Sequence, residues 1–199
     1  LNLSEVPTPL GEAMAYEGRT AISDKIIARR SPISGTASNL LEFVMAHEIA
    51  HQWWGYGVVP TRTPGRQFVI ESIPQFAAYK LLGHRGILSE QTARQNEERG
   101  YERGRTGVRN GEVALVRSET ADEIAYNKGP FALLSLDQLS GGAMMDRLGA
   151  LAASYSHQSH GLTSPEEFVA SLVAELPEAT RQAARRLLYE PGSDAMRRN

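Results

Sequence analysis

The 199 residues contain five histidines, and two of them stand four apart in His47-Glu48-Ile49-Ala50-His51. On a helix, residues at i and i+4 lie about 6 Å apart along the axis and about 40° round it, so both imidazoles can converge on one cation. Glu48 is about 100° round from His47, which suits it to take a proton from a water beside the ion rather than to ligate. The pattern is H-E-x-x-H, whose chemistry is zinc-assisted hydrolysis. With this composition about one sequence in a hundred would carry the pentapeptide by chance, and paired helical histidines also occur as plain core or surface residues.

A catalytic zinc needs a third protein ligand and an open position. The chain has no cysteine, so every ligand must be His, Asp or Glu. Glu71, which follows the apolar Phe68-Val69-Ile70, is the candidate carboxylate, because an unpaired acid there would be expensive to bury. The same residue could instead complement the N-terminus of the helix it opens. Plainer readings suit the other candidates. His84 reads as a helix-end residue, His157 and His160 as a pair at a solvated helix end, and Trp53 and Trp54 as packing residues.

The motif needs a helix to carry it. Leu40, Leu41, Val44 and Met45 have helical spacing, which predicts an amphipathic helix capped by Ser38 or Asn39 and ending near Gly55. Pro60, Pro64 and Gly65 mark a loop. A second helix is predicted from about Ser72 to Leu82, with Pro74 in its first turn and Gly83 and Gly86 as stops. Upstream, Pro7, Pro9, Gly11 and Gly18 favour strands and turns, with Ala21 to Ala28 read as one strand. Downstream, Ser89 caps a polar helix reaching about Arg103, and the Arg-rich stretch from Arg94 to Arg109 reads as a solvated face and loop. Gly100 to Gly111 reads as a loop. A helix resumes near Tyr126, turns Phe131, Leu134 and Leu136 inward and closes at Gly141-Gly142. Ser164-Pro165-Glu166-Glu167 is a capping box opening a helix through Leu176, and the tail from Ser193 is expected to fray.

With 41% hydrophobic and 22% charged residues, the composition is that of a soluble globular domain. Its formal charge of −2 leaves no broad basic footprint for nucleic acid. No apolar run approaches the ~20 residues of a membrane span, and no signal peptide is read. The reading is one predominantly helical α+β domain over residues 1–199: a strand and turn segment at 1–36, the ligand helices and loop at 37–115, and a helical lobe at 116–199.

The segment His47 to Gly55, H-E-I-A-H-Q-W-W-G, resembles the signature of the aminopeptidase N-like zinc peptidases, the gluzincins that include leukotriene hydrolase. Glu71-Ser72-Ile73-Pro74-Gln75-Phe76-Ala77-Ala78-Tyr79 resembles the family's second helix, and Tyr126-Asn127-Lys128-Gly129 its Tyr-x-Lys-Gly element. The resemblance implies a thermolysin-like catalytic domain with a remnant of N-terminal sheet. It further implies one Zn2+ held by His47, His51 and Glu71, Glu48 as general base, Tyr126 as oxyanion donor, and a peptide as substrate.

Two departures stand out. From Gln52 to Ile70 there are 19 residues, one more than the family's spacer, which places the extra residue in the Pro60 to Arg66 loop. The family's Gly-x-Met-Glu-Asn strand, whose glutamate binds a free amino terminus, is absent; Ala13 to Gly18 is expected on that cleft edge, with Glu17 or Asp24 as speculative amine binders. The spacer variant resembles a bacterial branch joined to membrane-transporter-like regions. Together with the opening Leu1 and the family's missing flanking domains, it implies further domains or a membrane-associated partner outside this chain. The competing reading is a zinc-stabilised binding or regulatory module with little or no peptidase activity.

Overall fold

The computed structural model describes residues 1–7, 13–28, 40–104, 112–119, 124–158 and 162–192. The chain opens with a three-stranded sheet of β1 (Asn2–Val6), β2 (Ala13–Tyr16) and β3 (Arg19–Ser23) in the order β1-β3-β2. β3 runs parallel to β1 and antiparallel to β2, in the register Ala13↔Ile22 to Tyr16↔Arg19. As the middle strand it is buried from Thr20 to Ser23, whereas β2, an edge strand, alternates half-buried Ala13 and Ala15 with exposed Met14 and Tyr16.

The strand expected to reach Ala28 stops at Ser23, and Asp24–Ala28 forms a short helix, α1. Ser23 Oγ and Asp24 Oδ1 accept the Lys25 N–H at 3.1 and 2.8 Å, so capping oxygens turn the chain although Ile26 and Ile27 are strand formers. Helix α2 (Leu40–Ala50) carries the histidines. Its expected caps, Ser38 and Asn39, lie outside the described residues. It ends five residues before Gly55, in turns closed by Trp53 N–H to Ala50 O at 3.0 Å and Gly55 N–H to Val58 O at 2.9 Å. Nor is it one-sided: Leu40 to Ala46 are all half-buried, because the sheet, α1 and α3 (Ile73–His84) surround it.

Two helices begin as single π-helical turns, Phe68–Ser72 before α3 and Ile124–Lys128 before α5 (Gly129–Leu139). Each helix has proline at its start, Pro74 and Pro130, and a missing N–H there removes an ordinary i→i+4 bond. The Ile73 N–H bonds Phe68 O instead, five residues back. The second helical segment therefore begins at Arg66, and Glu71 stands inside it rather than at its N-terminus.

Helix α5 is the central strut, buried from Gly129 to Asp137, with Phe131, Leu134 and Leu136 inward as predicted. Around it pack α3, α4 (Glu90–Gly104), α6 (Met144–Gln158) and α8 (Glu178–Tyr189), with α7 (Pro165–Ala174) against α6 and α8. α4 is not a purely solvated helix: Ala93, Glu97 and Tyr101, one stripe at four-residue spacing, face the core. Residues 100–104 of the expected glycine loop are helical, and 105–111 lie outside the described residues.

The sequence-read caps farther along the chain hold. Ser89 Oγ accepts the Thr92 N–H, Ser164 and Glu167 exchange both bonds of the capping box, and α5 closes on Gly141 and Gly142 at φ 73° and 84°. Two-residue strands β4 (Val59–Pro60) and β5 (Leu162–Thr163) pair in parallel and anchor the loop after α2. Trp54 is buried as expected, but Trp53 is 55% exposed. Among the described residues no helix is long and apolar enough to cross a membrane.

Candidate metal centre

On α2 the Nε2 atoms of His47 and His51 lie 3.1 Å apart. Glu71 Oε2, from the first π turn, lies 3.4 and 3.9 Å from them. Tetrahedral ligands about 2.05 Å from a zinc ion would stand about 3.3 Å apart, so the three atoms already have nearly the spacing of one face of that site. Glu71 Oε2 is buried and has no hydrogen-bond partner. His51 Nδ1 lies 3.3 Å from Trp54 O, and donation there leaves a lone pair on Nε2 facing the carboxylate. Burial, then the neighbouring His47 charge, lowers the His51 pKa against the opposing pull of Glu71, which keeps the imidazole neutral. Two imidazole nitrogens and a carboxylate oxygen converging on one point suit a divalent cation, and the residues fit the zinc ion that the motif implies. Among the described residues they form the one such group of His, Asp and Glu.

Glu48 is 8% exposed. Burial raises its pKa; His47 lowers it, Glu71 raises it, and a hydrogen bond from the Ala15 backbone lowers it. That bond couples the acid to edge strand β2. Tyr126, on the second π turn, has its ring centroid 6.4 Å from that of His47. Its pKa is raised by burial, then by the Glu71 charge, a hydrogen bond to that carboxylate and the Glu48 charge, so the phenol keeps its proton. All five side chains singled out in the sequence line one cleft of about 330 Å³, with Ala13, Met14 and Ala15 of β2 as its rim. Neither speculative amine binder does: Glu17 sits in the exposed β2–β3 turn and Asp24 caps α1.

Several residues that place the site escaped the sequence reading. Gln52 Nε2 donates to Tyr16 O and its Oε1 accepts the Gly18 N–H, both at 2.8 Å, while the Tyr56 hydroxyl donates to Ala15 O at 2.8 Å. The residues just after the motif thus hold the hairpin over it. The two π turns are clasped: Ser72 Oγ donates to Ala125 O at 2.6 Å, and a Cβ at Gly129 would lie 1.9 Å from that Oγ. The neighbours of Tyr126 are pinned as well. Asn127 donates to buried Glu97 at 2.8 Å, and Lys128 reaches Glu112 at 2.6 Å and Glu190 O at 2.9 Å.

Among solved structures, the chain superposes on an M1 zinc metallopeptidase from Deinococcus radiodurans with a TM-score of 0.66 at 19% identity, over 96% of this chain and 39% of that one. The fold is that of the M1 zinc metallopeptidases. A glutamate-to-alanine mutant of an M1 enzyme from the same organism, bound to a Tyr-Ser-Ala substrate, matches at TM-score 0.66 and 19% identity over 94% and 38% of the two chains. A two-domain M1 mutant bound to L-tryptophan matches at 0.65 and 20% over 96% and 39%. The chain therefore carries the M1 fold over about two fifths of these longer proteins. No protein-family model matches it, and no curated protein matches it significantly in sequence.

Proposed function

We propose that the chain is the catalytic domain of a zinc-dependent metallopeptidase, residues 1–199 forming one thermolysin-like unit. The observation that carries this reading is the meeting of His47 Nε2, His51 Nε2 and Glu71 Oε2 at 3.1 to 3.9 Å, with the Glu71 oxygen buried and unpartnered. His47, His51 and Glu71 would hold the zinc, which supplies Lewis-acid polarisation of the scissile carbonyl and acidifies water beside it. Glu48, its basicity raised by burial, takes the proton of the attacking water and later hands it to the leaving amine. The Ala15 N–H keeps that carboxylate oriented. Tyr126, held protonated, donates to the oxyanion as charge develops there. An aminopeptidase-type substrate, a peptide with a free amino terminus, is supported by the M1 fold and the motif's resemblance.

The test is metal analysis combined with hydrolysis of aminoacyl and internally quenched peptides, for the wild type and Glu48→Gln. One zinc per chain in both, with turnover in the wild type alone, is the expected result. Zinc in both with no Glu48-dependent cleavage would make the chain a zinc-stabilised binding or regulatory module.

A further inference from the structure

Among the described residues, the acidic and strongly basic side chains that line the cleft are Glu48, Glu71 and Arg66. Both carboxylates are engaged: Glu71 faces the two imidazoles, and Glu48 accepts the Ala15 N–H. Neither is free to host a substrate's ammonium. Arg66 is the reverse case. It takes part in none of the ion pairs among the described residues, and its Nε is buried without a hydrogen-bond partner. A guanidinium N–H withdrawn from water with no acceptor costs more than an exposed one, and its planar fork matches a carboxylate.

Its backbone is fixed at that point. Gly65, at φ 87°, donates to Ser118 O at 2.9 Å and approaches Val116 so closely that a Cβ would lie 2.3 Å from Val116 O. Phe68 N–H then returns to Gly65 O at 3.0 Å and starts the π turn. Arg66 and Ile70, four residues apart, both line the cleft, with Glu71 next along. The cation is thereby built into the segment that carries the carboxylate of the metal group, five residues before it.

Resting on the peptidase reading, we propose that Arg66 binds a carboxylate of the peptide substrate, so that the cleft selects peptides bearing an anionic group near the scissile bond. Two sources share that chemistry: the C-terminal carboxylate of a short peptide and an acidic side chain.

The experiment is calorimetric binding to the zinc-loaded Glu48→Gln chain, alone and combined with Arg66→Met, using trialanine, trialanine amide and Ala-Glu-Ala amide. Trialanine binding roughly tenfold or more tighter than its amide identifies the terminus as the source, and recovery of that affinity by Ala-Glu-Ala amide identifies the side chain. In either case Arg66→Met collapses the ratio while zinc content stays at the parent value. If Arg66→Met does not fold, Arg66→Lys serves instead and should shrink the ratio by losing the bidentate geometry. Equal affinities for all three peptides, no measurable binding of any, or ratios that survive the Arg66 variant would overturn the proposal. A chain that cleaves peptides through Glu48 yet ignores carboxylates loses this inference alone; one that prefers carboxylates yet never cleaves loses the peptidase reading alone.

Discussion

The phenol of Tyr126 is kept from ionising first by burial and then by the two carboxylates around it. A donor of this kind is useful only if it remains a donor, so Tyr126→Phe tests the hydroxyl, which also contacts Glu71, while leaving His47, His51 and Glu71 themselves in place. The expected outcome is a roughly 100- to 1,000-fold fall in kcat, with bound zinc unchanged by metal analysis. A tyrosine that served only packing would leave kcat within a few-fold. At this scale the sequence was informative wherever chemistry imposes a spacing. His47, Glu48 and His51 are tied by helical geometry, and Glu71 by the need for a third ligand. Arg66 and Ala15 carried no such signal. An arginine in a proline-rich loop looks solvated until its surroundings are known, and a backbone N–H belongs to every residue type except proline.

The buried face of α4 was missed for a reason that belongs to the element. Helix α4 is rich in Glu and Arg, and composition alone makes it a solvated helix; its buried stripe appears only when α3 and the second π turn bring Tyr79 and Asn127 against it. There Glu97 accepts hydrogen bonds from the Tyr79 hydroxyl and the Asn127 amide, and burial pushes its pKa up to about 7, partly offset by those bonds. Because the folded chain holds the proton more tightly than the unfolded one, the unfolded chain ionises first. Stability is therefore greatest below the ordinary carboxylate value of 4.5 and falls as pH rises to about 7, a loss of about 3 kcal/mol from this group. Urea unfolding at pH 5 and pH 8 checks this. Glu97→Gln should flatten the difference between the two, and an unchanged slope would refute the assignment. The π turns were equally hidden: Pro74 and Pro130 announce helix starts, but not that the turn before each would widen to present Glu71 and Tyr126.

Across the whole molecule, the metal group joins α2 to the turn that precedes α3, while β4–β5 pairing, α5 and the hairpin clasp hold the rest around it. A ligand bound only by the folded chain stabilises by mass action, about 2.7 kcal/mol at a hundredfold excess over its dissociation constant. Chelation should accordingly lower the melting temperature by roughly 5 to 10 °C for a domain of this size, with zinc restoring it. A melting curve indifferent to chelator would show that the three side chains hold no structural metal. The mostly helical class and the order of helices were legible because hydrophobic spacing and caps are local. The depth of α5 and the reach of β5 back to β4 were not, since they depend on partners distant in sequence.

Ser72 and Gly129 share a space that admits one side chain. Any substitution that enlarges position 129 must be matched by a loss at position 72, and with the serine would go its bond to the carbonyl just before Tyr126. The two positions are thus expected to vary as a couple across related chains, with 129 free to gain volume only where 72 has surrendered it.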